Sequence, residues 1–133
     1  MKQQEKIGAI FSGACARNQI CPVKDIMASY GDKWTLYAVL FLGQHGTLRF
    51  QQLLTGISGI SQRMLTVTLR SLERDGIITR ATYAEMPPRV EYELTSLGES
   101  LLRHLLQLAT WADAHFGEVL EARATFDAQR KSE

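Results

Sequence analysis

The sequence predicts a mostly helical α+β fold, and three patterns predict it. Between Ser61 and Gly76, Leu65, Leu69 and Leu72 recur at helical spacing. From Arg89 to Leu94 the pattern changes to strict alternation, placing Val90, Tyr92 and Leu94 on one face of a strand. From Ser96 onward apolar residues return to a helical period and hold it through a long C-terminal segment.

Taken in order, residues 1–20 are mildly amphipathic, with Ile7, Ile10 and Phe11 at helical spacing. They fit a short helix or an arm that touches a partner, and plain disorder fits as well. Cys21-Pro22 opens a new element, because proline is preorganised for the first helical turn and disfavours helix at the residue before it. Val23, Ile26, Met27 and Tyr30 follow at helical spacing, and Gly31 ends that helix. Asp32 is the expected N-cap of the next helix, Lys33 to about Leu42, which is apolar nearly all round and so belongs in the core. Gly43 and the turn 44–46 are expected to close it. Leu48-Arg49-Phe50 suits a short strand, followed by a helix over 51–54 and a turn over 56–60.

Ser61 is a good N-cap and Gly76 suits a left-handed C′ position, so a helix is expected between them. Its leucine stripe faces inward. Arg63, Val67, Arg70 and Arg74 fall on the opposite side, with Thr66 on the flank. Ile77–Tyr83 and Arg89–Leu94 form a hairpin whose loop carries Pro87-Pro88, neither of which can donate to a strand ladder. Helix, helix-turn-helix, hairpin is the order of a winged helix-turn-helix with a two-stranded wing. The last helix starts at Thr95 or Ser96, and Ser96 with Glu99 fits a capping box. Leu101, Leu105, Leu108 and Ala112 form one stripe, with Leu102, Leu106, Ala109 and Phe116 beside it. That is more apolar surface than one small winged domain is expected to bury, so Leu101, Leu105, Leu108, Trp111 and Ala112 are assigned to a homodimer interface, the alternative being a helix that wraps its own domain more fully. The organisation is therefore an N-terminal segment 1–20, a winged domain 21–95, a dimerisation helix 96–126 and a frayed tail 127–133.

Composition narrows the function. At 133 residues, 45% hydrophobic and 22% charged, the chain is long enough for one domain with a real core. No apolar run suits a membrane span and the N-terminus leads into no signal-peptide core, so a cytoplasmic protein is expected. The net charge is only +1, yet residues 1–90 hold 11 Lys/Arg against 6 Asp/Glu, and residues 91–133 hold 4 against 8. A basic front and an acidic back suit a protein that meets phosphate with one part only. Two cysteines, Cys15 and Cys21, are too few for a disulfide scaffold and lack zinc-finger spacing. His45, His104 and His115 complete no tetrahedral metal site. No Walker loop, nucleophile elbow or HExxH motif gives evidence of catalysis, and no cofactor is expected.

With these motifs in place, the chain resembles the HxlR family of bacterial winged-helix transcriptional regulators over residues 21 to about 116. The resemblance rests on Cys21-Pro22, Gly31-Asp32-Lys33-Trp34-Thr35, Arg49-Phe50, Gly59-Ile60-Ser61, Leu65-Thr66, Leu69, Leu72-Glu73, Asp75-Gly76, Pro87-Pro88, Val90-Glu91-Tyr92, Leu94-Thr95 and Gly98. Asp32 stands where the family usually has a second glycine, a conservative change at a helix cap. The resemblance implies a homodimer held by the last helix and the N-terminal segment, with the Ser61–Asp75 helix reading an operator and the wing reaching the flanking minor groove. It also implies that Cys21 corresponds to a cysteine with which some members sense electrophiles or oxidants.

On the residues themselves, Gln62, Arg63, Thr66 and Arg70 are the candidates for reading base edges in double-stranded, palindromic DNA. Lys33, Arg49, Arg74 and Arg80 are candidates for phosphate contacts, and Arg89 for the wing tip in a narrow minor groove. For Cys21 two readings stay open: a small buried residue at a helix start, or a thiol activated by the helix N-terminus, with Cys15 as a resolving partner. A non-covalent small-molecule effector is the alternative signal. A merely solvated arginine face is the plain alternative for this helix, and the whole-domain pattern outweighs it; a protein-interaction module without DNA binding is the alternative class, and three arginines on the outer helix face count against it. A thiol enzyme would need a base near Cys21, and no histidine lies nearby in the chain.

Overall fold

A computed structural model describes residues 2–13 and 21–132. Its elements are α1 (Gln3–Ser12), α2 (Pro22–Tyr30), α3 (Lys33–His45), β1 (Leu48–Arg49), α4 (Phe50–Gly56), α5 (Gln62–Arg74), β2 (Ile78–Tyr83), β3 (Arg89–Leu94) and α6 (Ser96–Lys131). Helix-turn-helix and wing stand in the expected order. Cys15 lies outside the described residues, as does most of the segment joining α1 to α2.

The caps follow local chemistry. Pro22 occupies the first turn of α2. The Asp32 carboxylate accepts from the Thr35 N–H and Thr35 hydroxyl, each at 2.9 Å, and so starts α3. That helix runs past the expected stop at Leu42, through Gly43 to His45. Gly43 lies against α6, where an added Cβ would come within 2.5 Å of Leu102 Cδ2. It is there for close packing, and the chain instead turns at Gly46, whose φ is +79°. The helix α4 is likewise longer than the 51–54 core expected for it.

The wing gains a third strand. β1 pairs antiparallel with β3, Leu48 opposite Tyr92, and the sheet order is β1-β3-β2. Across the hairpin, Ile78 pairs with Leu94 and Tyr83 with Arg89. Inward-facing Leu48, Ile78 and Tyr92 join Val39, Leu42, Leu53, Leu65, Leu69 and Leu72 in one core. The apolar surface of α3 is not all used, since Tyr37 remains half exposed.

Thr95, not Ser96, caps α6. Its hydroxyl accepts from the Gly98 N–H at 3.0 Å and donates to the Gly76 carbonyl at 2.6 Å, while its N–H donates to the Ile77 carbonyl at 3.0 Å. One residue thus ties the start of α6 to the end of α5, which Ser96 is one position too late to do. The helix continues to Lys131, through most of the tail expected to fray. Nothing after Phe126 breaks a helix, and Arg130 and Lys131 complement the negative end of its dipole. Among the described residues no helix is long and apolar enough to cross a membrane.

Candidate nucleic-acid interface

The outer face of α5 is built from its two ends inward. Ser61 Oγ accepts from the Met64 N–H at 3.0 Å and fixes the start. Gly59, with φ +85°, makes the preceding turn in a conformation that a side chain would disfavour. Leu65, Thr68, Leu69 and Leu72 are buried, which turns Gln62, Arg63, Arg70 and Arg74 to solvent. Arg63 and Arg70 are two turns apart, about 10 Å along the axis and roughly the rise of three base pairs. Thr66 is half-buried on the flank, where its hydroxyl donates to the Gln62 carbonyl at 2.9 Å. With the hydroxyl bonded back to its own helix, the methyl is the group left to meet a ligand.

Thr66, Arg70 and Arg80 come together around a recess of about 380 Å³, floored by Phe50, Leu69 and Tyr92 and bordered by Glu73. The recess joins α5 to the sheet. It brings a phosphate candidate from β2 beside a base-reading candidate, a grouping that sequence spacing did not show. Two apolar residues belong with this face. Met64 is 40% and Val67 is 55% exposed, although both types usually seek burial. The helical period turns Val67 outward, while nothing in the sequence pattern distinguishes Met64. Apolar contact with a thymine methyl is what such side chains offer in a major groove.

The other cations differ in how free they are. Among the described residues Arg49, Arg63, Arg70, Arg74 and Arg80 are all exposed and none makes an ion pair. Lys33 is also exposed, with its ammonium 4.5 Å from the Trp34 ring centre. Arg89 is held instead. Its guanidinium lies 3.4 Å from Glu85 Oε1 and 3.2 Å from Glu91 Oε1, and stacks 4.3 Å from the Tyr83 ring. The Nε approach to Glu91 is close enough for charge attraction but not aligned as a hydrogen bond.

Beside this face, the Tyr30 hydroxyl at the end of α2 donates to Asp75, the residue that ends α5. Burial, then the bond to Asp75 and the nearby negative charges, push the Tyr30 phenol well above its ordinary range. At the other end of α2, Cys21 is buried, is not a free thiol, and accepts from the Asp25 N–H through its carbonyl at 2.9 Å.

The residues assigned to an interface divide. Leu101 and Leu105, with Leu102, pack against the protomer's own core. Leu108 and Trp111 are more than half exposed, and Ala112 is also exposed. Further along α6, Phe116, Leu120 and Phe126 are exposed too, as are Ile7, Ile10 and Phe11 of α1.

The family model described as HxlR-like helix-turn-helix matches residues 29–119. The uncharacterised HTH-type transcriptional regulator YtfH of Escherichia coli is 35% identical over 123 residues, 92% of each chain. An uncharacterised HTH-type transcriptional regulator of Methanothermobacter thermautotrophicus is 44% identical over 92 residues, 69% of this chain and 70% of its own. Among solved structures, the redox regulator HypR in its oxidised form superposes with a TM-score of 0.65 at 38% identity, covering 71% of this chain and 96% of that one. The reduced form of the transcriptional regulator YodB from B. subtilis gives 0.59 at 30% identity, covering 71% and 93%. The chain belongs to the HxlR-like helix-turn-helix family of transcriptional regulators.

Proposed function

We propose that the protein is a dimeric, sequence-specific DNA-binding regulator that places α5 in the major groove. The observation that carries this reading is the unpaired arginine face of α5. Arg89 of β3 is held by two carboxylates, whereas Arg63, Arg70 and Arg74 of α5 have none within ion-pair distance among the described residues, although Asp25 and Asp75 share a recess with Arg70 and Arg74. A polyanion supplies what they lack. Arg63 and Arg70 donate to guanine edges, Gln62 reaches adenine or phosphate, and Thr66 offers its methyl to thymine. Lys33, Arg49, Arg74 and Arg80 hold phosphates and set register. Arg89 enters the minor groove by exchanging Glu85 and Glu91 for the negative potential of that groove.

The exposed apolar residues of α6 and α1 support a homodimer, since a second copy would remove both surfaces from water. Two α5 helices related by a two-fold axis then read half-sites about 34 Å apart. The signal in this reading is oxidation or alkylation at Cys21. It is supported by Cys21 not being a free thiol in this structure, by the Tyr30–Asp75 bond that joins the far end of α2 to α5, and by the likeness to a redox regulator.

Selection from random duplexes, with reduced protein and again after diamide, tests both parts. The expected result is an imperfect palindrome enriched by reduced protein, with enrichment changed by diamide in wild type but not in Cys21→Ser. Absence of any enriched sequence contradicts base reading; an unchanged wild type returns Cys21 to a structural role.

A further inference from the structure

A second recess, of about 490 Å³, lies between α2, the end of α5 and the first turns of α6. Ile77 and Leu101 form its apolar floor with Tyr30, while Ile26 and Leu97, 43% and 57% exposed, stand at its sides. The volume is in the range that holds small organic ligands. Its charged groups have one sign. Asp25 and Asp75 border it with Ser100 and His104, and neither Lys nor Arg lines it. Asp25 makes no ion pair among the described residues, and the Asp75 carboxylate has Tyr30 as a hydrogen-bond donor but no cation. Arg70 and Arg74 border the same two carboxylates from a neighbouring polar recess, also without forming an ion pair.

Apolar walls with two carboxylates at the rim disfavour an anion, and they offer a cation a charge attraction that a neutral ligand does not gain. They suit a cation carried on an apolar body. We propose that this recess binds an amphiphilic organic cation, an ammonium on an aromatic or branched hydrocarbon body, with the charge between Asp25 and Asp75 and the body on Ile77, Leu97 and Leu101. The binding itself needs nothing from the DNA-binding reading; its use as an effector site rests on that reading. Asp75 ends α5, so a cation that engages Asp75 competes with the Tyr30 hydroxyl for the group that anchors the end of that helix. By linkage, whatever factor the cation takes from DNA affinity, DNA takes from cation affinity.

The test uses two ligands with one hydrocarbon frame and opposite charge, 4-phenylbutylamine and 4-phenylbutyrate, titrated calorimetrically into the full chain. The amine should bind about tenfold or more tighter than the acid. Asp25→Asn, at an exposed position, should weaken the amine about tenfold without changing the melting temperature, and Ser100→Trp should block both ligands by filling the recess. Equal affinity for amine and acid, or amine binding indifferent to both substitutions, overturns the site. So does a third result: no binding of either ligand together with loss of the dimer in Leu97→Asp, which would assign the recess to a second copy of the chain. A separate arm measures duplex binding with and without the amine. Protein that binds the amine but no duplex leaves the site standing and removes its role as effector site.

Discussion

Tyr30 and Asp75 lie 45 positions apart in the chain, yet the Tyr30 hydroxyl donates to Asp75 Oδ2 at 2.5 Å. The bond joins the last residue of α2 to the residue that ends α5, so whatever moves α2 reaches the arginine helix by a short path. Removing the hydroxyl in Tyr30→Phe should cost about 1–2 kcal/mol, at the low end for a bond to a charged group because Asp75 is open to water. DNA affinity should fall while sequence preference is kept, since no base contact is lost. Urea unfolding and duplex titration read the two effects separately.

The same pair sets an alkaline limit. Burial and Asp75 raise the Tyr30 phenol above its ordinary range, so the folded chain keeps a proton that the unfolded chain releases. The stabilisation is fully present below about pH 10, the unfolded tyrosine range, and is lost as pH rises through and beyond it. Urea midpoints should therefore drop above about pH 10, and drop less steeply in Tyr30→Phe. Equal slopes in the two proteins would remove this bond from the alkaline behaviour.

Three glycines should respond differently to alanine. At Gly98 the new Cβ would sit 2.2 Å from the Ile77 carbonyl oxygen, which the Thr95 N–H holds in place. A backbone group in that position has little room to yield, and a loss of about 1–3 kcal/mol or more is expected. Gly43→Ala meets the flexible end of Leu102, so the loss should be smaller, offset in part by better helix propensity. Gly117 lies within α6 with nothing within 4 Å, and alanine there should stabilise by about 0.5–1 kcal/mol. Thermal melts of the three variants rank them.

Leu101 and Leu105 should separate from Leu108 and Trp111 in solution. Glutamate at Leu105 places charge against the protomer's own core and should unfold it. Glutamate at both Leu108 and Trp111 should leave circular dichroism intact and shift sedimentation from dimer to monomer. A folded, dimeric Leu108→Glu, Trp111→Glu protein would remove these residues from the interface.

These contrasts mark how far the sequence could be read. Helix α5 was legible because its cap, its leucine stripe and its closing Gly76 lie within one local segment. The helical period of α6 was equally plain, but a stripe does not say what it packs against. Leu101, Leu102 and Leu105 pack against the core, while Leu97, Leu106, Leu108 and Leu120 stay exposed. The stop expected at Gly43 failed because a glycine that permits close packing and one that permits a turn look alike without Leu102. Thr95 and Ser96 both suit an N-cap, and only the nearness of Gly76 and Ile77 decides between them. For the site, the outward arginines followed from periodicity. The capture of Arg89 by Glu85 and Glu91 depends on hairpin register, and the meeting of Arg70 with Arg80 on how the sheet sits against α5.

The central claim is that α5 reads bases, and duplex titration of Arg63→Ala beside Arg74→Ala tests it most directly. Each variant is measured at two salt concentrations on the selected operator and on an unrelated sequence. Arg63→Ala should lose about 1–3 kcal/mol on the operator and little elsewhere, narrowing the gap between the two duplexes. Arg74→Ala should weaken both alike and reduce the salt slope by about one unit. An Arg63→Ala protein with the affinity and preference of wild type would contradict the assignment of α5 as the reading helix.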